Sequence, residues 1–423
     1  MTIRSYDKLD LKVYSETLKN GLEIYIVPTA QNNNIYVTFS TKFGSRMCEF
    51  EVNNQMTKVP LGIAHFLEHK VFEQKDGIDP FSFFSERGAN ANANTTYDKT
   101  TYLFSGVDFF EENLNYLLDY VQEPYFTDEN VEKEKGIIIQ EYEMYQDRPF
   151  TRCYEGLIKN SFINDAVKYP IIGTPDTINS INKEQLYNCY NTFYNPSNMF
   201  VVVTGNVKPE EVIEIINKNQ EEKQFPESKE IKVKKFKEPE KVEKEYEEVS
   251  MDVTVSKVLI GYKLNISKVK KITNDKYMDY IVLLFDMLFG STSKVNETLK
   301  ENNIIYEGIL LDYIEAGDYC LFMVGCETDK KDEFIKCINE QINNICITKE
   351  ELERKKKVSI GARIALSDDI FAINSKIMNN VIKYGHPICN GHEIIKSLNI
   401  DEMQKIIKEL SFDNNSTFVI KTK

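Results

Sequence analysis

The chain has 423 residues, a formal net charge of −14 and 42% hydrophobic residues. A chain this acidic repels phosphate backbones, which argues against nucleic-acid binding. It contains no run of 18 or more apolar residues, so we expect no membrane span and predict a soluble globular protein of two to four domains.

The N-terminus and the cysteines indicate a cytoplasmic protein. Residues 1–14 have neither the apolar stretch of a secretory signal nor the Arg- and Ser-rich composition of a mitochondrial import peptide. Eight cysteines are spread along the chain without a C-x-x-C pair, which is typical of reduced, mostly buried thiols. We therefore expect no metal cluster among the cysteines.

In the first half, the pattern predicts alternating strands and helices. The Asn20-Gly21 turn between two β-rich runs is typical of a hairpin. Asp98-Lys99 is predicted to join a second strand pair, and Asp108 and Thr127 are expected to cap helices. The predicted strands are 13–18, 22–27, 35–43, a pair within 91–105, and 199–204, and the predicted helices are 61–73, 79–87, 108–122, 127–146, 152–162, 183–193 and 209–217.

The second half is predicted to repeat the element order of the first. This repeat of order, without clear sequence identity, predicts an α+β fold of two related halves. Each half is expected to be an antiparallel-rich sheet packed with helices, the two facing each other across a chamber. The predicted strands are 257–264, 304–314, 318–326 and 416–421, and the predicted helices are 275–289, 293–302, 331–345, 349–366, 370–384 and 400–410.

A change of composition separates the halves. Lys and Glu dominate residues 220–248, which also contain Pro226 and Pro239, and such a stretch is typical of a solvated linker or hinge. We therefore predict an N-terminal domain over 1–219, a charged linker over 220–248, and a C-terminal domain over 249–423 that forms a wall of the chamber.

Two of the four histidines lie four residues apart within a predicted helix. In the sequence His65-Phe66-Leu67-Glu68-His69, both imidazoles share one helix face and reach one ion, with Glu68 on the same side. Hydrolytic zinc sites need three protein ligands, an open position for water and a carboxylate that takes the proton from that water. This H-x-x-E-H order is the inverzincin signature. An amphipathic helix with two incidental histidines would give the same spacing.

A third ligand is expected on the helix predicted from Thr127. Glu134 and Glu141 are seven residues apart and share one helix face, with Gly136 and three isoleucines between them. Carboxylates buried on that face need a partner. Spacing alone leaves open which of the two is the ligand, and both could also be surface charges.

The histidine pair, the long gap and the Glu134–Glu141 spacing resemble the insulinase/pitrilysin (M16) family of zinc metallopeptidases, which includes the β subunit of mitochondrial processing peptidase. The resemblance implies one zinc ion per chain, held by His65, His69 and Glu141, with Glu68 as catalytic base and Glu134 supporting the site. The sequence around both motifs is also similar to short bacterial members, including those associated with 5-aminopentanol modification of elongation factor P.

Two further stretches bear on substrate binding. Residues 88–95, with Thr100 and Tyr102 after them, are similar to the edge strand beside the family's active site, which implies that Asn92 and Ala93 lie near a substrate backbone. Many members also carry an Arg and a Tyr seven residues apart in the second half. Tyr306 matches the Tyr, but Leu299 stands in the position of the Arg, and the neighbouring Lys300 is out of register.

The sequence therefore predicts a cytoplasmic zinc metalloendopeptidase that cleaves unfolded peptides and processes or degrades a small peptide. The missing Arg suggests that the chain is the zinc-bearing subunit of a heterodimer with a second M16-like chain, or forms a homodimer. The alternative is a non-catalytic structural or peptide-binding subunit of an M16-like complex. Substrate, cleavage site and partner are not encoded in any recognisable motif.

Overall fold

The computed structural model describes residues 1–6, 11–30, 33–273 and 276–423. The strands are β1 (Thr2–Ser5), β2 (Lys12–Thr17), β3 (Glu23–Pro28), β4 (Ile35–Thr41), β5 (Glu49–Val52), β6 (Gln55–Lys58), β7 (Asn90–Thr95), β8 (Thr100–Gly106), β9 (Met199–Gly205), β10 (Ile231–Val233), β11 (Tyr246–Met251), β12 (Lys257–Asn265), β13 (Leu310–Ala316), β14 (Tyr319–Glu327) and β15 (Asn415–Thr422). The helices are α1 (Ile63–Val71), α2 (Pro80–Ser85), α3 (Phe110–Gln122), α4 (Asp128–Gln146), α5 (Pro149–Ser161), α6 (Pro175–Asn179), α7 (Lys183–Phe193), α8 (Pro209–Glu221), α9 (Ser267–Thr273), α10 (Tyr277–Phe289), α11 (Lys294–Glu301), α12 (Lys331–Asn343), α13 (Lys349–Ala365), α14 (Ile370–Tyr384), α15 (Gly391–Ser397) and α16 (Ile400–Glu409).

The chain forms two compact units, each built from three segments. Unit 1 comprises Met1–Tyr142, Pro170–Lys234 and Arg363–Gly391, and unit 2 comprises Glu143–Tyr169, Lys235–Ala362 and His392–Lys423. Helix α5 from the first half therefore packs on β12 and β15 of unit 2, and α14 from the second half packs on β4 and β9 of unit 1. Residues 143–169 of the first half thus belong to unit 2, and residues 363–391 of the second half belong to unit 1. The units therefore differ from the contiguous domains 1–219 and 249–423 predicted from composition.

Unit 1 is organised around a seven-stranded sheet in the order β1-β2-β3-β9-β4-β8-β7. Only the β3–β9 pair is parallel within it. Every residue of β4 is buried, because α3 and α14 both pack on that strand. Its hydroxyls are satisfied internally, and Thr38 donates to Asn374 Oδ1 of α14 at 2.8 Å.

Unit 2 repeats this arrangement in a five-stranded sheet, β11-β15-β12-β14-β13. The β11–β15 pair is parallel and the other pairs are antiparallel, as for β3-β9-β4-β8-β7 in unit 1. The largest apolar cluster of unit 2 lies between β12, β14 and α10. The predicted α+β fold of two related halves is therefore confirmed.

Most predicted elements occur within a few residues of their expected bounds, with two differences near turns. The strand expected from 304 begins only at Leu310, because the amides of Ile304 and Ile305 bond back to the carbonyl of Leu299 and close the end of α11. Helix α3 is preceded by Phe109 in a left-handed conformation (φ 54°) instead of being capped by Asp108. The start of the predicted helix at Asp275 lies outside the described residues.

The stretch expected to be a solvated linker is partly incorporated into both units. Residues 231–233 form β10, which pairs with β5, and residues 246–251 form β11. Within unit 2, the Glu238 carboxylate accepts hydrogen bonds from the amides of 163, 164 and 165 at 2.7–2.8 Å. It also pairs with Lys263 at 2.7 Å, and their side chains are 3% and 0% exposed. None of the described helices is long and apolar enough to cross a bilayer.

The substitution Glu238→Gln should destabilise unit 2, because it removes the hydrogen-bonded counter-charge of the buried Lys263 ammonium. Breaking a buried pair in this way costs about 3–5 kcal/mol in the free energy of unfolding. The control is Glu409→Gln, which removes the partner of Lys268 in a pair whose side chains are 39% and 69% exposed and should cost less than about 1 kcal/mol. Urea-induced unfolding measures both, and equal losses would contradict the buried pairing.

Candidate metal site

The predicted histidine motif lies on α1, and a close backbone approach sets the start of that helix. Gly62 precedes α1 with φ 86°, a left-handed conformation that favours glycine. A Cβ on Gly62 would lie 2.3 Å from the carbonyl oxygen of Ile172. The 172–173 loop therefore packs directly on the first turn of α1, and its own Gly173 also has a positive φ of 86°.

The structure brings His65, His69 and Glu141 together. The His69 Nε2 lies 3.4 Å from Glu141 Oε2, and the His65 Nε2 lies 3.8 Å from the same oxygen. One potential ligand atom from each of the three residues lies within 4.8 Å of the others. Among the described residues, this is the only group of three or more His, Cys, Asp or Glu side chains with that property.

The geometry fits a tetrahedral divalent ion. Zinc binds imidazole nitrogen and carboxylate oxygen at about 2.0–2.1 Å, so two ligand atoms at the tetrahedral angle lie about 3.3 Å apart. The observed separations of 3.4 and 3.8 Å are close to that value.

Helix α4 places the two candidate carboxylates differently. The helix begins after Thr127, whose Oγ1 accepts from the amide of Asn130 as predicted for a cap. Glu141 joins the group of possible ligands, whereas Glu134 Oε1 lies 3.0 Å from His69 Nδ1, on the opposite side of the ring. A carboxylate on Nδ1 fixes the ring orientation and leaves Nε2 to face Glu141.

The two imidazoles have different proton affinities. Burial lowers the pKa of His65 to about 4. Burial also opposes the charged form of His69, but hydrogen bonds to Glu134 and Glu141 and the charges of those groups outweigh it and raise its pKa to about 9. At neutral pH, in the absence of a metal, His65 is therefore neutral and His69 carries a proton.

Glu68 lies on the same helix and is 8% exposed. Its Oε2 accepts a 2.5 Å hydrogen bond from the Thr95 hydroxyl. Burial raises the pKa of Glu68, and the bond from Thr95 opposes that shift. A carboxylate with a raised pKa is a stronger base than an exposed one.

Two residues at this site were not anticipated from the sequence. Thr95 contacts Glu68 across 27 positions of sequence, and the buried Lys70 ammonium pairs with Glu73 and lies 3.8 Å from Glu134 Oε2. The available signal for Lys70 was its position directly after His69 on a helix whose other residues are mostly apolar. No local pattern pointed to Thr95.

Asn92 and Ala93 lie on β7, the edge strand of the unit 1 sheet. The burial of β7 alternates, so the asparagines are exposed and Ala91, Ala93 and Thr95 share the partly buried face. Helix α1 packs against β7. The outer edge of β7 pairs with no other strand among the described residues, so its backbone can accept an extended peptide.

Tyr306 and Leu299 both belong to unit 2. Tyr306 is 66% exposed and lines a cavity of about 290 Å³, together with Phe150, Leu259 and Leu310. Leu299, in the position where the family resemblance led us to expect an Arg, is fully buried in the apolar core of the unit. No cationic side chain therefore projects from that position.

Comparison with known proteins assigns this arrangement to one family. Residues 55–175 match the family model of insulinase (peptidase family M16), and residues 180–359 match that of the peptidase M16 inactive domain. Over 414 residues, 96% of this chain and 95% of the relative, the sequence is 37% identical to the uncharacterized zinc protease YmfH of Bacillus subtilis (strain 168).

Two further relatives support the same assignment. An M16-like peptidase from Alicyclobacillus acidocaldarius superposes with a TM-score of 0.92 and 29% identity, covering 98% of this chain and 99% of that one. The Probable mitochondrial-processing peptidase subunit beta of Arabidopsis thaliana is 28% identical over 206 residues, 48% of this chain and 37% of the relative. The fold, and the part of the chain that contains the candidate metal site, are thus similar to those of proteins named as peptidases.

The raised pKa of His69 can be measured directly. In protein treated with a chelator, one imidazole should titrate near pH 9, and this resonance should be missing from a His69→Gln variant. Glu134→Gln should lower that pKa, because it removes a negative charge that stabilises the protonated ring. With only four histidines in the chain, ring NMR resolves the titrations. A His69 midpoint near the ordinary 6.5 in the unmodified chain would contradict the geometry of the site.

Proposed function

Since the chain belongs to the M16 (insulinase) peptidase family, we propose that it is a zinc-dependent endopeptidase that cleaves unfolded peptides, with His65, His69 and Glu141 as the zinc ligands and one ion per chain. The observation that carries this proposal is the convergence of two imidazole nitrogens and one carboxylate oxygen beside a second, buried carboxylate, that of Glu68. Three protein ligands and one open position are the arrangement of catalytic zinc sites.

The role of each side chain follows from its position. Bound by these three residues, a zinc ion would supply a water of lowered pKa, towards ~7, and a Lewis acid for a substrate carbonyl. Glu68 is placed to take a proton from that water at its Oε1, since Oε2 is held by Thr95, and to return it to the leaving amine. Glu134 holds His69 through Nδ1, so that Nε2 presents its lone pair.

The substrate is proposed to bind as an extended strand along β7. Main-chain hydrogen bonds from alternate residues along the outer edge of β7, in the stretch that contains Asn92 and Ala93, would recognise any unfolded peptide, which gives modest sequence preference. The exposed row of Asn90, Asn92 and Asn94 is polar and uncharged and therefore selects neither sign of charge. An unfolded peptide has its whole backbone free to pair with such an edge, so unfolded peptides are the expected class.

We further propose that the chain works with a second M16-like chain, or as a homodimer, in the cytoplasm. The support is the burial of the apolar Leu299 in the position where the family resemblance led us to expect the Arg that accompanies Tyr306. Light scattering combined with assays of each fraction tests this idea. Full activity from the purified monomer would overturn it.

A non-catalytic peptide-binding or structural subunit is the second candidate, because residues 180–359 match a domain described as inactive. None of the metal-site residues lies in that range, since all fall between 65 and 141. A silent subunit has no need for a buried base beside three convergent ligands. The observations therefore favour the peptidase.

The proposal is tested by metal content and by cleavage of a quenched peptide of mixed sequence. The unmodified chain should bind one zinc ion and cleave the peptide. Glu68→Gln should keep the zinc and lose turnover by about 10²–10⁴-fold, which is the usual contribution of a general acid–base group. No zinc in the unmodified chain would refute the proposal, and equal activity in the variant would favour the binding role.

Glu134→Gln should weaken zinc binding about 10–100-fold, as expected for loss of a carboxylate that orients a ligating histidine. Competition with a chelator of known affinity measures this change. A matched control is Glu132→Gln, on the same helix, whose carboxylate pairs only with Lys135 among the described contacts and is 69% exposed. If both substitutions weaken binding alike, the effect belongs to the charge of the helix and not to the contact with His69.

A further inference from the structure

The end of the edge strand β7 contacts Glu68. Thr95 is the last residue of β7 and donates its hydroxyl proton to Glu68 Oε2 at 2.5 Å. The side chain lies on the same face of β7 as Ala91 and Ala93. Because the two alanines are small, the strand and α1 approach closely, and a short hydroxyl reaches the carboxylate.

The protons available on the two neighbouring threonine hydroxyls determine the direction of the hydrogen bond between Thr95 and Glu68. Thr95 Oγ1 also lies 3.3 Å from Thr100 Oγ1, and each hydroxyl has a single proton to donate. Thr100 donates its proton to the backbone carbonyl of Phe43 at 2.9 Å. The proton of Thr95 therefore remains for Glu68, whose ionised form accepts and cannot donate.

We propose that Thr95 is a positioning residue for Glu68: its hydroxyl fixes Oε2 and thereby presents Oε1 to the reacting water. This inference rests on the proposed function. A buried carboxylate without this bond rotates about its terminal torsion, which is a broad and soft degree of freedom. Thr95 restricts that rotation from the end of β7, so the strand that would receive the peptide also holds the carboxylate on α1 in place.

The experiment compares Thr95→Val with Thr95→Ser. Valine keeps the shape and the strand preference but has no hydroxyl, whereas serine restores it. We expect Thr95→Val to lower kcat about 10–100-fold, the effect of losing a hydrogen bond to a charged group, with KM within about twofold and one zinc ion still bound. Thr95→Ser should recover most of kcat.

The matched control is Thr101→Val. Thr101 is fully buried on the neighbouring strand, and its hydroxyl bonds to Ser40 Oγ at 2.8 Å on the other face of the sheet. The Thr101→Val variant loses a comparable hydrogen bond, and this bond does not involve Glu68. Its kcat should therefore stay within about threefold of that of the unmodified chain. If Thr101→Val lowers kcat as much as Thr95→Val, or if Thr95→Ser fails to recover it, the positioning role is refuted.

A second measurement does not depend on activity. In chelator-treated protein, the melting temperatures of Thr95→Val, Glu68→Met and the double variant form a cycle. The shifts should be non-additive, because each single substitution removes the same hydrogen bond. Additive shifts would refute the contact. Absence of zinc or turnover in the unmodified chain would refute the proposed function, while the cycle would still decide whether Thr95 holds Glu68.

Discussion

The site is governed by one electrostatic constraint, the meeting of several carboxylates in a partly buried space. Glu68, Glu134 and Glu141 surround two imidazoles, and the fixed cation nearby is the buried ammonium of Lys70. Buried carboxylates are costly unless a positive charge or hydrogen-bond donors compensate them. The proton on His69 supplies part of that charge, and a divalent ion would supply more. The proton on His69 and a divalent ion would therefore compensate the same surplus of negative charge.

In unit 2, the corresponding pair of helices is α10 and α13, and an ion pair joins them. Helix α10 follows β12 as α1 follows β4, and α13 precedes the exchanged helix α14 as α4 precedes α5. In unit 2, these helices are joined by a direct pair between Asp286 and Lys355 at 2.8 Å. The Lys355 ammonium, whose side chain is only 3% exposed, thus provides between α10 and α13 the positive charge that a metal ion would provide between α1 and α4. A fixed cation in the place of a bound one gives a physical reason why the described residues of the region matching the inactive domain form no comparable group of ligands.

The sequence predicted those parts of the site that depend on one helix at a time. The spacing of His65 and His69, and of Glu134 and Glu141, follows from helical periodicity, and both pairs do share a face. Glu141 lies near the two Nε2 atoms, whereas Glu134 lies at the Nδ1 of His69. This difference depends on how α4 lies against α1, and helical periodicity does not contain that information. Thr95 depends in addition on the register of β7 against β8, where it pairs with Thr100. Contacts of this kind arise between elements and leave no local pattern.

The exchanged segments and Glu238 were missed for a related reason. A stretch rich in Lys and Glu has the composition of a solvated linker. Composition does not distinguish the single carboxylate that the fold buries from its exposed neighbours. Glu238 differs from its neighbours only because three amides and Lys263 surround it. Likewise, nothing in α5 or α14 identifies the sheet on which each packs, because an apolar helix face fits any sheet of suitable size.

The contrast between the two histidines shows what Glu134 contributes. Both rings lie on one face of α1, yet the pKa of His65 is lowered to about 4 and that of His69 is raised to about 9. Glu134 makes the proton a stronger competitor for His69, which opposes metal binding at neutral pH. The same carboxylate also fixes the ring and increases its basicity towards an ion, which favours binding. A bound ion would gain from Glu134 through the same charge as the proton does, but it would carry twice the charge and would also be held by His65 and Glu141. Glu134 would therefore favour the ion over the proton, and the competition would be confined to His69, because burial keeps His65 neutral.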